Sequence, residues 1–251
     1  AKEPFRPKEV KRMNKYEKEA RLYPAIAGMI IPIILTTWYV TSFVPETIDV
    51  WKSIIAKIGL LIPVALIYGA LAYWMRQLFI DASKLLFQFR LFKEDETEMP
   101  TTKRLLWRRD MRKSETEIKQ IAAKVKADFG IQLLSKDEEL ANPSEAKRAI
   151  VDAVGKIREV TRKNENLQQY NRKYGFCRNY LGACVYAIGT IILALIVNLI
   201  LDMPYTRILL VALFVQVLFG LIDYTSYKSK ANDYARAMYN AYITGEEYER
   251  D

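Results

Sequence analysis

Four long stretches of this chain contain no charged residue, and they constrain its fold more than any other feature. The stretches are residues 22–45, 58–75, 179–201 and the shorter 208–222. A helix needs about 20 apolar residues to cross the hydrocarbon core of a membrane. A buried helix of a water-soluble protein would keep a polar face, which these stretches lack. The sequence therefore predicts four transmembrane helices.

The distribution of positive charge predicts how these helices are oriented. The net charge is +9, and Lys and Arg concentrate in residues 2–21, in the long middle segment and after the fourth span. Positively charged loops stay on the cytoplasmic side of a membrane. We therefore expect a multi-pass inner-membrane protein with the middle domain and both termini in the cytoplasm. The polar residues before the first span are not typical of a cleaved signal peptide, so we expect that span to be retained.

The resulting fold class is an all-α polytopic membrane protein with four transmembrane helices and a cytosolic helical domain between spans two and three. Its expected segments are a basic N-terminal helix (1–22), a transmembrane hairpin (23–75), a cytosolic helical regulatory domain (76–178), a second hairpin (179–224) and a C-terminal cytosolic helix (225–251). The N-terminal helix is expected either to lie on the anionic inner leaflet or to form a solvated arm.

Local signals divide the middle domain and the tail into helices. Ser114 begins a helix and Gly130 ends it, while Asn142 begins another. A short strand near 131–134 is the one non-helical element we expect. The helix after span two should carry an apolar stripe of Leu78, Ala82, Leu85, Leu86 and Phe89. The tail should dock on the middle domain or a neighbouring subunit through Tyr227, Ala231, Tyr234, Met238 and Tyr242.

The composition argues against catalysis. Histidine is absent, which removes the usual general base near neutral pH and the commonest metal ligand. No glycine-rich phosphate loop occurs, and the acidic residues 137–139 fit the start of a helix. Cys177 and Cys184 would lie about 10 Å apart on one helix, too far for a disulfide, so we expect them to be packing residues. We expect no catalytic residue, metal site or cofactor, and thus no enzyme.

One segment of the middle domain is strongly cationic. Trp107 lies among basic residues, which are Lys103, Arg104, Arg108, Arg109, Arg112 and Lys113. Such a cluster suits a phosphate-bearing ligand such as a nucleotide or oligonucleotide. It suits anionic lipid headgroups equally well, and a solvated basic surface is the third alternative.

The predicted spans carry uncharged polar residues and no ionisable residue at depth, which argues against an ion-coupled transporter. Thr190, Asn198 and Gln216 belong to spans three and four. Thr190 and Gln216 each lie about eleven residues, or roughly 16 Å, from the outer turn. At matching depth they could surround a pore in an oligomer, or they could form hydrogen bonds between helices.

Several short motifs resemble those of a known family. Pro100-Thr101-Thr102 precedes a Leu-Leu pair, and Tyr174-Gly175-Phe176 precedes Arg178-Asn179. Further matching pairs are Glu138-Glu139, Asn142-Pro143 and Thr161-Arg162. These motifs are similar to those of bacterial four-span proteins encoded beside nucleotidyltransferases. The chain resembles the Hailong-type membrane effectors of antiphage defence.

The resemblance implies an oligomeric ion channel, with a tetramer favoured, that depolarises the infected cell. A nucleotide or oligonucleotide signal from a partner nucleotidyltransferase would control it, and membrane lipid would surround it. On this hypothesis the pore residues are Thr190, Asn198 and Gln216. The ligand-binding residues are Thr101, Arg104, Arg108, Arg109, Tyr174 and Arg178. The alternative is a non-conducting membrane anchor for a cytosolic partner.

Overall fold

A computed structural model describes residues 14–43, 61–92, 96–107 and 114–245, and within these ranges it contains helices and no strand. The α-helices are α1 (Tyr23–Phe43), α2 (Leu61–Ser83), α3 (Phe89–Phe92), α4 (Pro100–Lys103), α5 (Glu115–Phe129), α6 (Lys136–Ala141), α7 (Pro143–Val160), α8 (Glu165–Ile200) and α9 (Thr206–Thr244). Two π-helical segments, Glu17–Leu22 and Lys84–Gln88, precede α1 and follow α2, and a 3-10 turn spans Glu96–Glu98.

Helix boundaries in the middle domain confirm the local signals. The Ser114 side chain accepts a hydrogen bond from the N–H of Glu117 at the start of α5, and Gly130 ends that helix with a left-handed φ of 70°. Asn142 accepts a hydrogen bond from the N–H of Glu145 at the start of α7. These side chains satisfy backbone groups that have no partner within the helix.

The short strand expected near 131–134 is absent. These residues form an irregular connection between α5 and α6. Leu133 packs into the domain core, and the carbonyl of Leu134 accepts a hydrogen bond from Nε1 of Trp107. The connection is held by a side-chain contact and by apolar burial, and no neighbouring strand pairs with it in the described part of the chain.

Two helices, α8 and α9, are long and apolar enough to cross a membrane, by length and composition. Asp202, in a left-handed conformation, lies in the short turn that connects them. Their apolar halves expose large side chains, with Leu199 and Phe214 both 67% exposed. Helices also occupy the described parts of the first two expected spans, as α1 and α2.

Helix α8 is the centre of the packing, because α1, α2 and α9 all contact it. A Cβ atom added at Gly182 would lie 1.9 Å from the carbonyl oxygen of Phe79 on α2. A Cβ atom added at Gly175 would lie 2.8 Å from Cβ of Ala20, in the first π-helical segment. Small residues at helix contacts let backbones approach closely, as is typical of membrane helices.

The tail docks on the middle domain, as its periodicity predicted. Met238, Tyr239 and Tyr242 of α9 are buried in one apolar core with residues of α5 and α7, among them Ile121 and Ile157. Tyr242 also donates a hydrogen bond to Asp128, with 2.9 Å between the oxygens. The helix that begins in the apolar hairpin therefore ends inside the core of the middle domain.

The apolar stripe predicted after span two lies largely on the uncovered side of its helix. Leu78, Leu85 and Leu86 are exposed, whereas Phe79 and Ser83 are almost fully buried. The buried side is the one that meets α8 at Gly182, where the added Cβ would contact both Phe79 and Ser83. The absence of a side chain on α8 thus determines which side of α2 is covered.

The described part of the N-terminal helix packs against α8, unlike the solvated arm that was one of the two alternatives. Ala20 is completely buried, and its carbonyl accepts a hydrogen bond from Nδ2 of Asn179 on α8. Glu19 pairs with Arg172, with 2.8 Å between the charged atoms. Because Gly175 faces Ala20, one side of the segment packs on α8. Residues 1–13 lie outside the described ranges.

We expect Gly182→Ala to lower the apparent unfolding temperature of the detergent-solubilised protein by several degrees. The new methyl group would collide with the carbonyl of Phe79, and overpacking typically costs about 1–3 kcal/mol. Gly189→Ala on the same helix is the matched control, because nothing lies within 4 Å of its added Cβ. Equal unfolding temperatures for the two variants would refute the close contact.

Candidate functional site

The Pro-Thr-Thr motif forms a buried turn in the middle domain. Pro100 occupies the first position of α4, after an extended Met99, where its missing N–H carries no penalty. Thr101 and Thr102 are buried. The Thr102 hydroxyl donates to the carbonyl of Glu96, with 2.8 Å between the oxygens. This hydrogen bond within the segment stabilises the turn.

A buried carboxylate, Glu98, attaches this turn to α7. Its side chain pairs with Lys103, at 2.8 Å, and with Lys147 of α7. Hydrogen bonds from Lys103 and Lys147 lower the pKa of Glu98 to about 2. The carboxylate therefore stays ionised in the folded protein far below neutral pH.

Arg158 of α7 and Tyr239 of α9 reach the same turn. The Tyr239 hydroxyl donates to the carbonyl of Thr101, and Nη2 of Arg158 lies 3.4 Å from the Thr101 hydroxyl oxygen. Arg158 also forms a hydrogen bond with Tyr234. Arg104, at the end of α4, is only 5% exposed. The turn is thus surrounded by arginine and tyrosine side chains from two other helices.

A stack of tyrosines continues from this turn to α8. The Tyr174 ring is stacked on Tyr227, with centroids 5.4 Å apart, and on Tyr234, with centroids 6.1 Å apart. The hydroxyls of Tyr174 and Tyr227 are within hydrogen-bond distance at 3.2 Å. The guanidinium of Arg178 lies 5.8 Å from the Tyr174 centroid, a cation–π distance.

Four of the six predicted ligand residues therefore belong to one cluster. Thr101 contacts Arg158, Arg158 contacts Tyr234, and Tyr234 stacks on Tyr174. Arg104 belongs to the turn, and Arg178 covers the far end of the stack. In this conformation Thr101 and Arg104 are internal packing residues. Arg108 and Arg109 lie outside the described residues.

The cationic segment is anchored where it leaves the turn. The backbone N–H of Trp107 donates to Oε2 of Glu139, at 3.0 Å. The acidic residues 137–139 do form the first turn of α6, as expected. Glu139, however, is only 3% exposed, and it has this second role, which no local pattern indicated.

A polar contact that the sequence did not predict joins α8 to α9 below the tyrosine stack. The Cys177 thiol donates to Oδ1 of Asp223 at 2.8 Å, and Nζ of Lys230 donates to the same sulfur at 3.4 Å. Both Cys177 and Cys184 are free and buried. Among the described residues, no group of three or more His, Cys, Asp or Glu is arranged to hold a metal ion.

The three predicted pore residues make hydrogen bonds within the chain. Gln216 donates from Nε2 to the sulfur of Cys184 at 3.1 Å, and it is only 1% exposed. Asn198 donates to the hydroxyl of Thr206, at 2.7 Å, and so holds the α8–α9 turn. The Thr190 hydroxyl, which is half-buried, donates to the carbonyl of Tyr186 one turn earlier. A pore-lining role for these residues stays a prediction.

No protein-family model, curated protein or solved structure matches the chain. Its function must therefore be inferred from its residues and their contacts.

We expect Glu98→Gln to destabilise the protein by about 2 kcal/mol at pH 7, as is typical for loss of a hydrogen-bonded charged group. Because the pKa of Glu98 falls from 4.5 to about 2 on folding, its contribution is complete above pH 4.5. The contribution declines as the pH falls from 4.5 to about 2 and disappears below that.

Unfolding temperatures of wild type and variant at pH 7, 4.5 and 3 would test this expectation. The difference between them should shrink at pH 3. Glu115→Gln is the control, because its pair with Lys136 is exposed and should contribute little. A difference for Glu98→Gln that does not change with pH would contradict the assignment.

Proposed function

We propose that the chain is an oligomeric membrane channel whose cytosolic helical domain binds a phosphate-bearing ligand that controls conduction. The observation that carries this proposal is the continuity of α8 and α9. Each helix runs without a break from an apolar half of membrane-spanning character into the cytosolic cluster. Any displacement of the cluster must therefore move the apolar halves as well.

The exposed apolar surface supports an oligomer in lipid. Leu193, Ile200 and Val211 are each more than half exposed in the single chain. Such side chains need lipid or a neighbouring copy to cover them. A single subunit with four spans leaves little room for a channel, so conduction would require several copies, and a tetramer is the favoured number.

The tyrosine stack supports coupling between ligand and hairpin. Tyr174 belongs to α8, whereas Tyr227 and Tyr234 belong to α9. A ligand that bound better to one arrangement of these rings would shift the equilibrium between two states of the hairpin. Phosphate is the ligand chemistry that the surrounding arginines favour.

The proposal includes the finer features that the resemblance implies. They are four spans in a bacterial inner membrane, cytoplasmic termini, a nucleotide or oligonucleotide signal from a partner nucleotidyltransferase, and depolarisation of an infected cell. In this arrangement Gln216 and Asn198 support the hairpin from within. Thr190, the most exposed of the three polar residues, is the one best placed to face a pore.

A non-conducting membrane anchor is the second candidate. It is favoured by the hydrogen bonds of Gln216 and Asn198, whose polar groups are satisfied inside the chain. In that case the polar residues would only hold helices together, and the cytosolic domain would bind a protein partner.

Planar-bilayer recordings of the purified protein separate these functions. We expect discrete currents that change when a nucleotide extract, from cells carrying the neighbouring genes, is added. Size determination in detergent should show a closed oligomer such as a tetramer. A folded, inserted protein that stays monomeric and silent would refute the channel and favour the anchor.

We expect Arg108→Glu combined with Arg109→Glu to abolish the response of the currents to the extract, because two ligand-attracting charges are reversed. The protein should remain folded, with an unchanged elution volume. Lys119→Glu combined with Arg148→Glu makes the same change of charge at two exposed positions of α5 and α7. An unchanged response in the Arg108/Arg109 variant would remove these residues from the site.

A further inference from the structure

A polar cavity of about 510 Å³ lies between the N-terminal helix and the start of α8. Its lining includes the cationic residues Lys15, Arg21, Arg162 and Arg172, together with Tyr16 and Glu17. None of these residues belongs to the ligand site predicted from the sequence. The cavity therefore needs a separate explanation.

The charges around this cavity are not balanced. Arg172 forms an ion pair with the carboxylate of Glu19. Glu17 is the one acidic residue in the lining, and its carboxylate accepts a hydrogen bond from the N–H of Asn14, at 3.3 Å. Lys15, Arg21 and Arg162 form no ion pair with any carboxylate in the described ranges. Three cations without an ion pair thus face one space, whose lining contains a single carboxylate.

Arg21 gives a second and independent indication of a ligand. Its Nε atom is buried and has no hydrogen-bond partner within the described structure. Its guanidinium lies 5.7 Å from the centroid of the Tyr16 ring, which holds the side chain at the cavity. A buried N–H group without an acceptor is costly. An anion in the cavity would supply that acceptor.

We infer that this cavity binds the phosphate groups of a multiply charged ligand. Arginine presents planar, forked donors that fit phosphate oxygens, and such charge-assisted hydrogen bonds are among the strongest in proteins. Arg21 and Arg162 would contact the phosphates directly from opposite walls. Lys15 would add a flexible point charge, and Arg172 would divide its donors between Glu19 and the ligand.

The position of the cavity connects ligand binding to the hairpins. Arg21 lies two residues before α1, Arg172 is the eighth residue of α8, and Arg162 lies in the link from α7. A bound anion would draw these three elements together, since it would replace repulsion among their cations with shared attraction. This regulatory role rests on the proposed channel function, whereas the anion site itself does not.

Calorimetric titration of the full-length protein in detergent with inorganic triphosphate tests the site. Arg21→Glu combined with Arg162→Glu should weaken binding at least about tenfold, the effect expected when charge-assisted hydrogen bonds are lost. Lys119→Glu combined with Arg148→Glu is the matched control and should retain the wild-type affinity. If the double variant misfolds, as judged by circular dichroism and elution volume, Arg162→Gln alone should still weaken binding.

A second titration, with nanodiscs that contain or lack phosphatidylglycerol, identifies the source of the phosphate. Loss of triphosphate binding in the cavity variant supports a soluble ligand. Loss of the preference for phosphatidylglycerol alone supports a lipid headgroup in the same site. Wild-type behaviour of the variants in both titrations would overturn the inference. If the cavity variant loses triphosphate binding while the wild-type protein never conducts, the channel function is refuted and the anion site stands.

Discussion

The close contact of neighbouring helices on α8 is the constraint on which the rest of the structure depends. Gly175 and Gly182 leave room for the N-terminal helix and for α2 at positions where a side chain would collide. Between apolar helices in a membrane, packing of small residues and hydrogen bonds replace the hydrophobic driving force. Helix α8 therefore positions its neighbours along its whole length, in its apolar half and in the half that carries Tyr174 and Arg178.

Polar contacts then fix how α8 and α9 are paired. They recur at intervals from the cytosolic end to the turn, and they are Tyr174 with Tyr227, Cys177 with Asp223, Cys184 with Gln216, and Asn198 with Thr206. Each is a contact between side chains of the two helices, and sliding one helix along the other would break all four. Because unpaired polar groups in a low-dielectric interior are costly, the hairpin moves as a unit with the domain at its base.

The sequence predicted the features that depend on local chemistry. The caps at Ser114 and Gly130 were recognisable because a cap involves residues within one turn. The covered side of α2 could not be predicted from its own residues, because it packs against Gly182, about one hundred residues later. The candidate site shows the same division. Thr101 and Tyr174 belong to recognisable motifs, and Tyr234 belongs to the periodic stripe of the tail. Arg158, which reaches both Thr101 and Tyr234, follows no local pattern.

The π-helical winding of Glu17–Leu22 has a mechanical consequence for the helix that follows it. The N–H of Tyr23 bonds to the carbonyl of Lys18, five residues back, so this segment holds an extra residue relative to α-helical winding. Rewinding it as an α-helix would advance α1 by one residue in helical register, which is a rotation of about 100° around its axis. A small change in the winding of this segment would therefore change which side of α1 faces its neighbours.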